Sequence, residues 1–157
     1  VNPKPAIANK TYTICSGDQF TYATEAGDVV PTGIKYTWTV VDDANIEGES
    51  VQNTATETMS QTLTNNSATA QTVTYTVTPE ADGSVGDKFT VTVTVNPKAK
   101  ITDKPYTICT GESFTLDVTG DRVPTGTTYT WIVAANANVS ANAPAAILLI
   151  LLMINSS

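Results

Sequence analysis

Two cysteines carry the most reactive side chains in this sequence, and both lie in nearly the same local motif. Cys15 stands in Ile-Cys-Ser-Gly and Cys109 in Ile-Cys-Thr-Gly. A nucleophilic or metal-bound thiolate needs basic neighbours or further cysteine and histidine ligands, and none lies nearby in sequence. The chain has no histidine, which excludes a Ser-His or Cys-His nucleophile pair. We therefore interpret each thiol as the remaining half of a disulfide whose partner is absent.

Acidic residues gather near predicted turns, in segments 25–28, 42–45, 47–49 and 82–87. Loop carboxylates of this kind bind calcium when their spacing is dense. None of the segments has an EF-hand or comparable spacing, so we favour a solvated acidic rim. A glycosidase would need two of these carboxylates to face each other across a cleft. We predict no catalytic residue, no metal-binding residue and no cofactor.

Aromatic residues on predicted strands offer a second kind of site. Trp38 and Trp131, with Tyr36 and Tyr129, would form a sugar-stacking platform if they lay together on an exposed face. Where Val or Ile lie near the aromatic residues of the first copy, they share the same period-two phase, which places the aromatic residues on the core side of the strands. The predicted core aromatics are Tyr12, Phe20, Tyr22, Tyr36, Trp38, Tyr75 and Phe89.

Threonine occupies the opposite phase of the same strands. The chain has 29 Thr and 16 Val, a composition typical of an all-β protein. Rows of threonine would suit an ice-binding lattice or a glycosylated stalk, but we favour the ordinary wet face of an antiparallel sheet. The triplet Asn-x-Ser/Thr is weak evidence for glycosylation, because it arises often by chance in such a chain. It occurs at Asn9, Asn65, Asn138 and Asn155.

Period-two alternation predicts the strands that must position these side chains. The six clear strands cover residues 12–15, 20–22, 34–41, 57–64, 72–78 and 89–95, with a short seventh at 45–47. Pro31 and Gly33 form a type I turn, and Asp82-Gly83 breaks the chain between two strands. No long helix is predicted. Seven short strands between turns indicate an antiparallel β-sandwich.

The sequence repeats itself at a spacing of 94 residues. VNPKPAIANKTYTICSGDQFTY at the start returns as VNPKAKITDKPYTICTGESFTL from Val95, and after a one-residue deletion Trp38 falls on Trp131. A unit of this size is a whole sandwich domain. We predict that residues 1–5 are the tail of a preceding repeat in a longer array. Residues 6–97 would then form the first repeat, and 98–139 the start of a second, incomplete one.

Residues 140–157 form a divergent apolar tail in this interpretation. The run 147–154 has eight consecutive apolar residues, whereas a membrane span needs roughly 20. The corresponding strand in the first copy is amphipathic, so one face of the run would lack a partner. We therefore predict an altered C-terminus, no membrane span in this segment, and poor packing after residue 97.

Five motifs in order resemble the PKD-like, immunoglobulin-like repeats of large secreted Bacteroidetes proteins. They are TICSG from Thr13, VPTG-x-x-YTW from Val30, SQTLTN from Ser60, VTYTVTP from Val73 and FTVTVTVNP from Phe89. The resemblance covers residues 1–139, and it implies tandem arrays associated with type IX secretion or gliding motility. It also implies a second cysteine before the last strand, at the position of Ser84, next to Cys15 in space.

The resemblance implies a non-catalytic extracellular module that acts as a spacer or in adhesion. An alternative is a carbohydrate- or calcium-binding accessory module of a secreted multidomain enzyme. The expected partners are neighbouring repeats, surface glycans or other proteins. A net charge of −7, with eight basic residues spread singly, argues against nucleic acid.

Overall fold

The computed structural model consists of β-strands and loops. It describes residues 3–134, 136–139 and 150–155, the last range for its backbone only. The chain divides into two compact units, Val1–Pro97 and Lys98–Ser157. No helix suitable for crossing a membrane occurs in the described part of the chain. The predicted all-β, immunoglobulin-like sandwich is confirmed.

The larger sheet of the first unit carries both of its terminal strands. In chain order the strands of this sheet are β1 (Lys10–Cys15), β3 (Lys35–Val40), β5 (Gln52–Thr56), β8 (Gln71–Ala81), β9 (Ser84–Val85) and β10 (Phe89–Asn96). Their order in space is β1-β10-β8-β3-β5, with β9 folded back on β8. All pairs are antiparallel except β1 with β10, which is parallel.

The opposite layer consists of two short strand pairs. The strands β2 (Gln19–Thr21) and β6 (Ser60–Thr62) form one pair, and β4 (Ile46–Glu47) and β7 (Thr64–Asn65) form the other. Gly48 follows β4 with a φ of 98° and lies against the backbone of Thr62. Both pairs therefore lie close enough together to cover the larger sheet.

The core lies between these layers and follows the predicted alternation. Six of the seven predicted core aromatics are buried, and Tyr12 is half-buried against them. The aromatic rings pack on each other, for example Tyr22 on Tyr36 with centroids 5.2 Å apart. The aliphatic members of the core are Ile46, Met59, Leu63, Val73, Val77, Val91, Val93 and Val95.

Several strands of the first unit differ in detail from the sequence prediction, and they include the parallel pair of β1 with β10 and the short strand β9. The predicted strand 57–64 is divided, because Leu63 exchanges backbone hydrogen bonds with Gly17 and Asp18 between β6 and β7. Its alternation was nevertheless right, since Met59, Gln61 and Leu63 all point inward. The strand β5 was missed, because this edge strand has no buried apolar residue to produce a periodic signal.

The second unit has one described strand pair, β11 (Thr128–Val133) with β12 (Ile150–Asn155). Trp131, the counterpart of the buried Trp38, is 57% exposed. The prediction of an altered C-terminus covers residues 140–157, of which 140–149 and 156–157 lie outside the described residues. The division into the tail of a preceding repeat (1–5), a first repeat (6–97), an incomplete second repeat (98–139) and a divergent tail (140–157) stays a prediction.

Candidate functional site

A cluster of charged side chains anchors the segment that leads into β1. The Asp28 carboxylate accepts backbone N–H groups from Ala8 at 3.1 Å and from Glu25 at 2.8 Å. Lys10 Nζ lies 2.9 Å from both Asp28 Oδ2 and Glu25 Oε2. The side chains of Lys10 and Asp28 are each only 3% exposed. We call these contacts, with the Ala6–Val29 bridge beside them, the lead-in anchor.

Electrostatics keep the buried pair ionised. The backbone N–H of Glu25, helped by Lys10 and Ala8, holds the pKa of Asp28 below its usual value against the effect of burial. Burial alone would lower the pKa of Lys10, but Glu25 and Asp28 outweigh it and raise that pKa. An ammonium and a carboxylate held in these states are a structural ion pair, because neither group changes its protonation state near neutral pH.

Part of the anchor recurs in the second unit, where the aspartate, its lysine, one backbone N–H and the bridge lie at equivalent positions. Asp121 accepts the backbone N–H of Thr102 at 3.1 Å and lies 2.8 Å from Lys104 Nζ. The bridge between Lys100 and Arg122 repeats the one between Ala6 and Val29. The sequence analysis missed this cluster, because Asp28 belongs to the acidic segment 25–28, which was interpreted as exposed to solvent. Its signal was available in the repeat, which keeps Asp and Lys while their neighbours change.

Both cysteines are exposed free thiols. Cys15 ends β1 in register with Asn96, at the end of the sheet where β8 begins with Gln71. Ser84 pairs with Ala81 at the other end of β8. Because ten residues of strand separate those ends, the distance is roughly 30 Å, well beyond a disulfide. The expected adjacency of Cys15 and Ser84 is therefore wrong.

The aromatic platform is not available in the first unit. Tyr36 and Trp38 face the core, and Trp38 Nε1 donates to Ser50 O at 2.8 Å. Tyr75 Oη donates to Gln61 Oε1 at 2.7 Å in the buried interior, and burial raises the pKa of Tyr75. In the second unit Trp131 is exposed and Tyr129 is half-buried. Any response of a tryptophan to a ligand would therefore come mainly from Trp131.

The acidic segments are occupied by internal contacts. Asp43 accepts the backbone N–H of Asn45 at 2.9 Å, and Glu49 accepts that of Asp43 at 3.0 Å. Asp87 pairs with Lys4 at 2.6 Å. Across the described ranges, no three His, Cys, Asp or Glu side chains are grouped as metal ligands.

One of the four Asn-x-Ser/Thr triplets is inaccessible. Asn65 is fully buried, and its Nδ2 donates to the carbonyls of Thr69 and Val95, both at 2.8 Å. Its backbone N–H donates to Ser16 Oγ at 2.9 Å. Asn9 accepts the backbone N–H of Thr90, and Asn138 is exposed. The side chain of Asn155 lies outside the description.

The outer face of the larger sheet is a regular array of hydroxyl groups, which we call the threonine face. The strand register aligns Thr11 with Thr92 and Thr74, and two of these hydroxyls lie 3.5 Å apart. A shallow groove of about 130 Å³ opens on this face beside β5. The groove is lined by hydroxyls, amides and one ammonium, from Thr37, Thr39, Gln52, Asn53, Thr76, Thr78 and Lys88, together with the buried Trp38.

A family model described as a PKD-like domain matches residues 12–99 and 106–148. The chain belongs to the PKD-like domain family. The predicted resemblance is thus confirmed at the level of the family. PKD-like domains are typically non-catalytic and commonly extracellular.

Other comparisons add little to the PKD-like assignment. No curated protein matches the chain. One similar solved structure is a nucleoside hydrolase-related hypothetical protein from Saccharophagus degradans that is associated with carbohydrate metabolism. The identity is 13% and the TM-score 0.33, and the alignment covers 62% of this chain and 26% of that one. A similarity at this level supports no conclusion about fold or activity.

Proposed function

We propose that this chain is a non-catalytic spacer and surface-contact module of a larger secreted or cell-surface protein. Its neighbours in that protein would be further repeats of the same kind. A parent exported by type IX secretion, as in gliding-motility proteins, fits the resemblance described above.

The observation that carries the proposal is the recurrence of the lead-in anchor. Asp28 and Asp121 bind equivalent backbone and lysine groups in their own units. A segment that joins two repeats is thereby packed on the repeat that follows it. A chain of domains with anchored connections keeps its reach better than one with free, flexible linkers. This is a property that a spacer needs and a ligand-binding module does not.

Few side chains of the first unit that commonly bind ligands are free to do so, which supports this proposal. The large aromatic residues of the first unit are committed to the core, and the carboxylates described above are committed to turns and ion pairs. The threonine face offers many weak hydroxyl contacts. Such a surface suits collective contact across many repeats better than tight binding by one.

Thermal unfolding with candidate ligands tests the proposal. A ligand at concentration L that binds only the folded state stabilises it by RT ln(1 + L/Kd), so the midpoint rises with the logarithm of ligand concentration above Kd. We expect the same midpoint for the full chain in millimolar calcium, in chelator and with soluble oligosaccharides. A rise of the midpoint with calcium or with one sugar class that follows this logarithmic dependence would overturn the spacer assignment in favour of a binding module.

The alternative function, carbohydrate binding, is favoured by the groove on the threonine face. Amide groups such as those of Gln52 and Asn53 hydrogen-bond sugars, and Trp38 also lines the groove, although it is buried in the core. Glycan array binding that is lost in Gln52→Ala/Asn53→Ala, and kept in the exposed control Glu57→Ala, would establish it. Fluorescence titrations should use Trp131→Phe, which leaves Trp38 as the reporter beneath the groove.

A further inference from the structure

The larger sheet of the first unit ends in two edge strands, β5 and β1, and β5 is protected against pairing with another chain. Between the register pairs Trp38–Gln52 and Tyr36–Thr56, β5 has three residues where β3 has one, so this edge is bulged. The side-chain amide of Gln52 also donates to the carbonyl of Thr54 at 2.8 Å. A bulge and a carbonyl with its own donor both hinder the addition of a further strand.

The opposite edge strand, β1, has neither protection. It pairs with β10 in continuous register, and just beyond its end Ser16 N donates to Asn96 O at 2.8 Å. Because backbone groups point to alternate sides along a strand, this bond shows that the even-numbered residues of β1 bond to β10. The backbone groups of Thr11 and Thr13 therefore point to the open edge, and both residues are exposed. The segment from Thr11 to Cys15 has no charged residue and no proline.

The open edge of β1 is complementary to the same edge of a second copy. An antiparallel pair centred on Thr13 places Thr13 opposite its equivalent, Thr11 opposite Cys15, and Tyr12 opposite Ile14. Pairs of threonines, and of an aromatic with a β-branched residue, are among those that stabilise neighbouring strands. Tyr12 and Ile14 are only partly buried where they pack against the core. A second copy would remove more of their apolar surface from water.

The charges that flank β1 agree with this pairing. The same register places Lys10 opposite Ser16 and Asp18 opposite Ala8, so no like charges face each other. Lys10 is already bound to Asp28 of its own copy, with 2.9 Å between the two groups. This edge can therefore accept a second copy even though the whole chain has a net charge of −7.

We propose that two copies of this chain join edge to edge through β1 and form one continuous sheet across a two-fold axis. This inference rests on the proposed surface-contact function and names the partner, which is another array of the same repeats. A two-fold interface uses the same strand of both copies, and the antiparallel pairing makes the two arrays run in opposite directions. Arrays that extend from two facing surfaces meet in this orientation.

Sedimentation equilibrium of the full chain in reductant tests the edge pairing. Thr13→Lys places two ammonium groups opposite each other at the centre of the pair. The control Thr74→Lys makes the same change at an exposed threonine inside the sheet, on β8. We expect a dimer from the unchanged chain and from the control, and a dimer Kd at least about tenfold weaker in Thr13→Lys, because opposed like charges are unfavourable in an interface. An equimolar mixture of Thr13→Lys and Thr13→Glu should restore the dimer. Thermal melts check that each variant is folded.

A cysteine placed on the edge tests the register. In a Cys109→Ser background, Thr11→Cys brings a new thiol opposite Cys15 of the second copy, within the range of a disulfide. We expect a covalent dimer after mild oxidation, detected by electrophoresis without reductant. The control Thr76→Cys, at an exposed position inside the sheet, should form clearly less of it.

Three results would overturn the edge pairing: a chain that stays monomeric at every concentration up to millimolar, equal dimerisation of Thr13→Lys and Thr74→Lys, or equal cross-linking of the two cysteine variants. Each would leave the spacer assignment intact, because that assignment depends on the ligand titrations. A midpoint that rises with calcium or a sugar, together with a dimer that Thr13→Lys weakens, would overturn the spacer and keep the edge pairing.

Discussion

Asn65 is a buried polar residue that links the two layers of the first unit. Its side-chain amide donates to two carbonyls and its backbone contacts Ser16. We expect Asn65→Asp to destabilise the unit by roughly 2–4 kcal/mol, because a carboxylate cannot donate and would be buried facing carbonyl oxygens. Urea unfolding followed by tryptophan fluorescence measures this. The exposed neighbour variant Asn66→Asp should change stability much less, and equal effects would refute the role given to Asn65.

The Lys10–Asp28 pair predicts how stability depends on pH. The pKa of Asp28 is lowered by folding, so its contribution is present above the unfolded value near 4 and is lost as pH falls through the lower folded value. The pKa of Lys10 is raised, so its contribution is complete below about 10.5 and is lost as pH rises further. We expect a stability plateau between these limits.

The variant Asp28→Asn should flatten the acid side of this profile and cost roughly 1–3 kcal/mol near pH 7 through the lost charge-assisted bonds. Chemical denaturation of both proteins at a series of pH values provides the measurement. An unchanged acid limb would mean that other carboxylates determine it.

The position of Cys15 predicts where an engineered disulfide can form. Cys15 and Asn96 are register partners on adjacent strands, where Cα atoms lie about 4.8 Å apart, and this is within the range of a disulfide. Asn96→Cys should therefore oxidise and stabilise the unit by roughly 2–4 kcal/mol. Thermal melts with and without reductant detect the bond. Ser84→Cys is the matched control and should keep both thiols free; a disulfide there would contradict the strand order.

At the level of elements, the approach of β4 to β6 depends on a glycine. A Cβ at Gly48 would lie 2.1 Å from the carbonyl oxygen of Thr62. Gly27 has a similar φ, 101° against 98°, with no atom within 4 Å of its would-be Cβ. We expect Gly27→Ala to cost roughly 1–2 kcal/mol from backbone strain alone, and Gly48→Ala to cost clearly more. Equal losses of unfolding free energy in Gly27→Ala and Gly48→Ala would show that the close approach of Gly48 to Thr62 does not contribute to stability.

Alternation along the chain was enough to predict most strands and the core, because a dry face requires apolar residues at every second position. The same signal could not reveal that β1 and β10 are parallel, since side-chain phase carries no information about strand direction. It could not reveal the lead-in anchor either. A buried aspartate is recognised only when the backbone N–H groups it accepts are known, and those come from residues up to 20 positions away.

For the whole chain, the anchor predicts where the connection between repeats is open to proteases. Lys98 is exposed and precedes the anchored segment, whereas Lys100 exchanges backbone hydrogen bonds with Arg122. We expect trypsin to cut first after Lys98 and more slowly after Lys100, because cleavage requires local opening of the backbone. In Asp121→Ala the two rates should become similar. Mass spectrometry of early digests measures both, and equal rates in the unchanged protein would contradict the anchor.

The pairing of β1 with β10 has a consequence for folding fidelity. The two strands are about eighty residues apart in sequence, while β10 is followed within a few residues by a near copy of β1 in the next repeat. A growing array could therefore mispair the end of one repeat with the beginning of the next, a known failure of tandem domains. The contact between Ala8 and Asp28 spans only 20 residues, so it can form before the last strand is available. We expect each anchor to fix the first strand in its own domain before the last strand is available. Neighbouring repeats can then be nearly identical in sequence without exchanging strands.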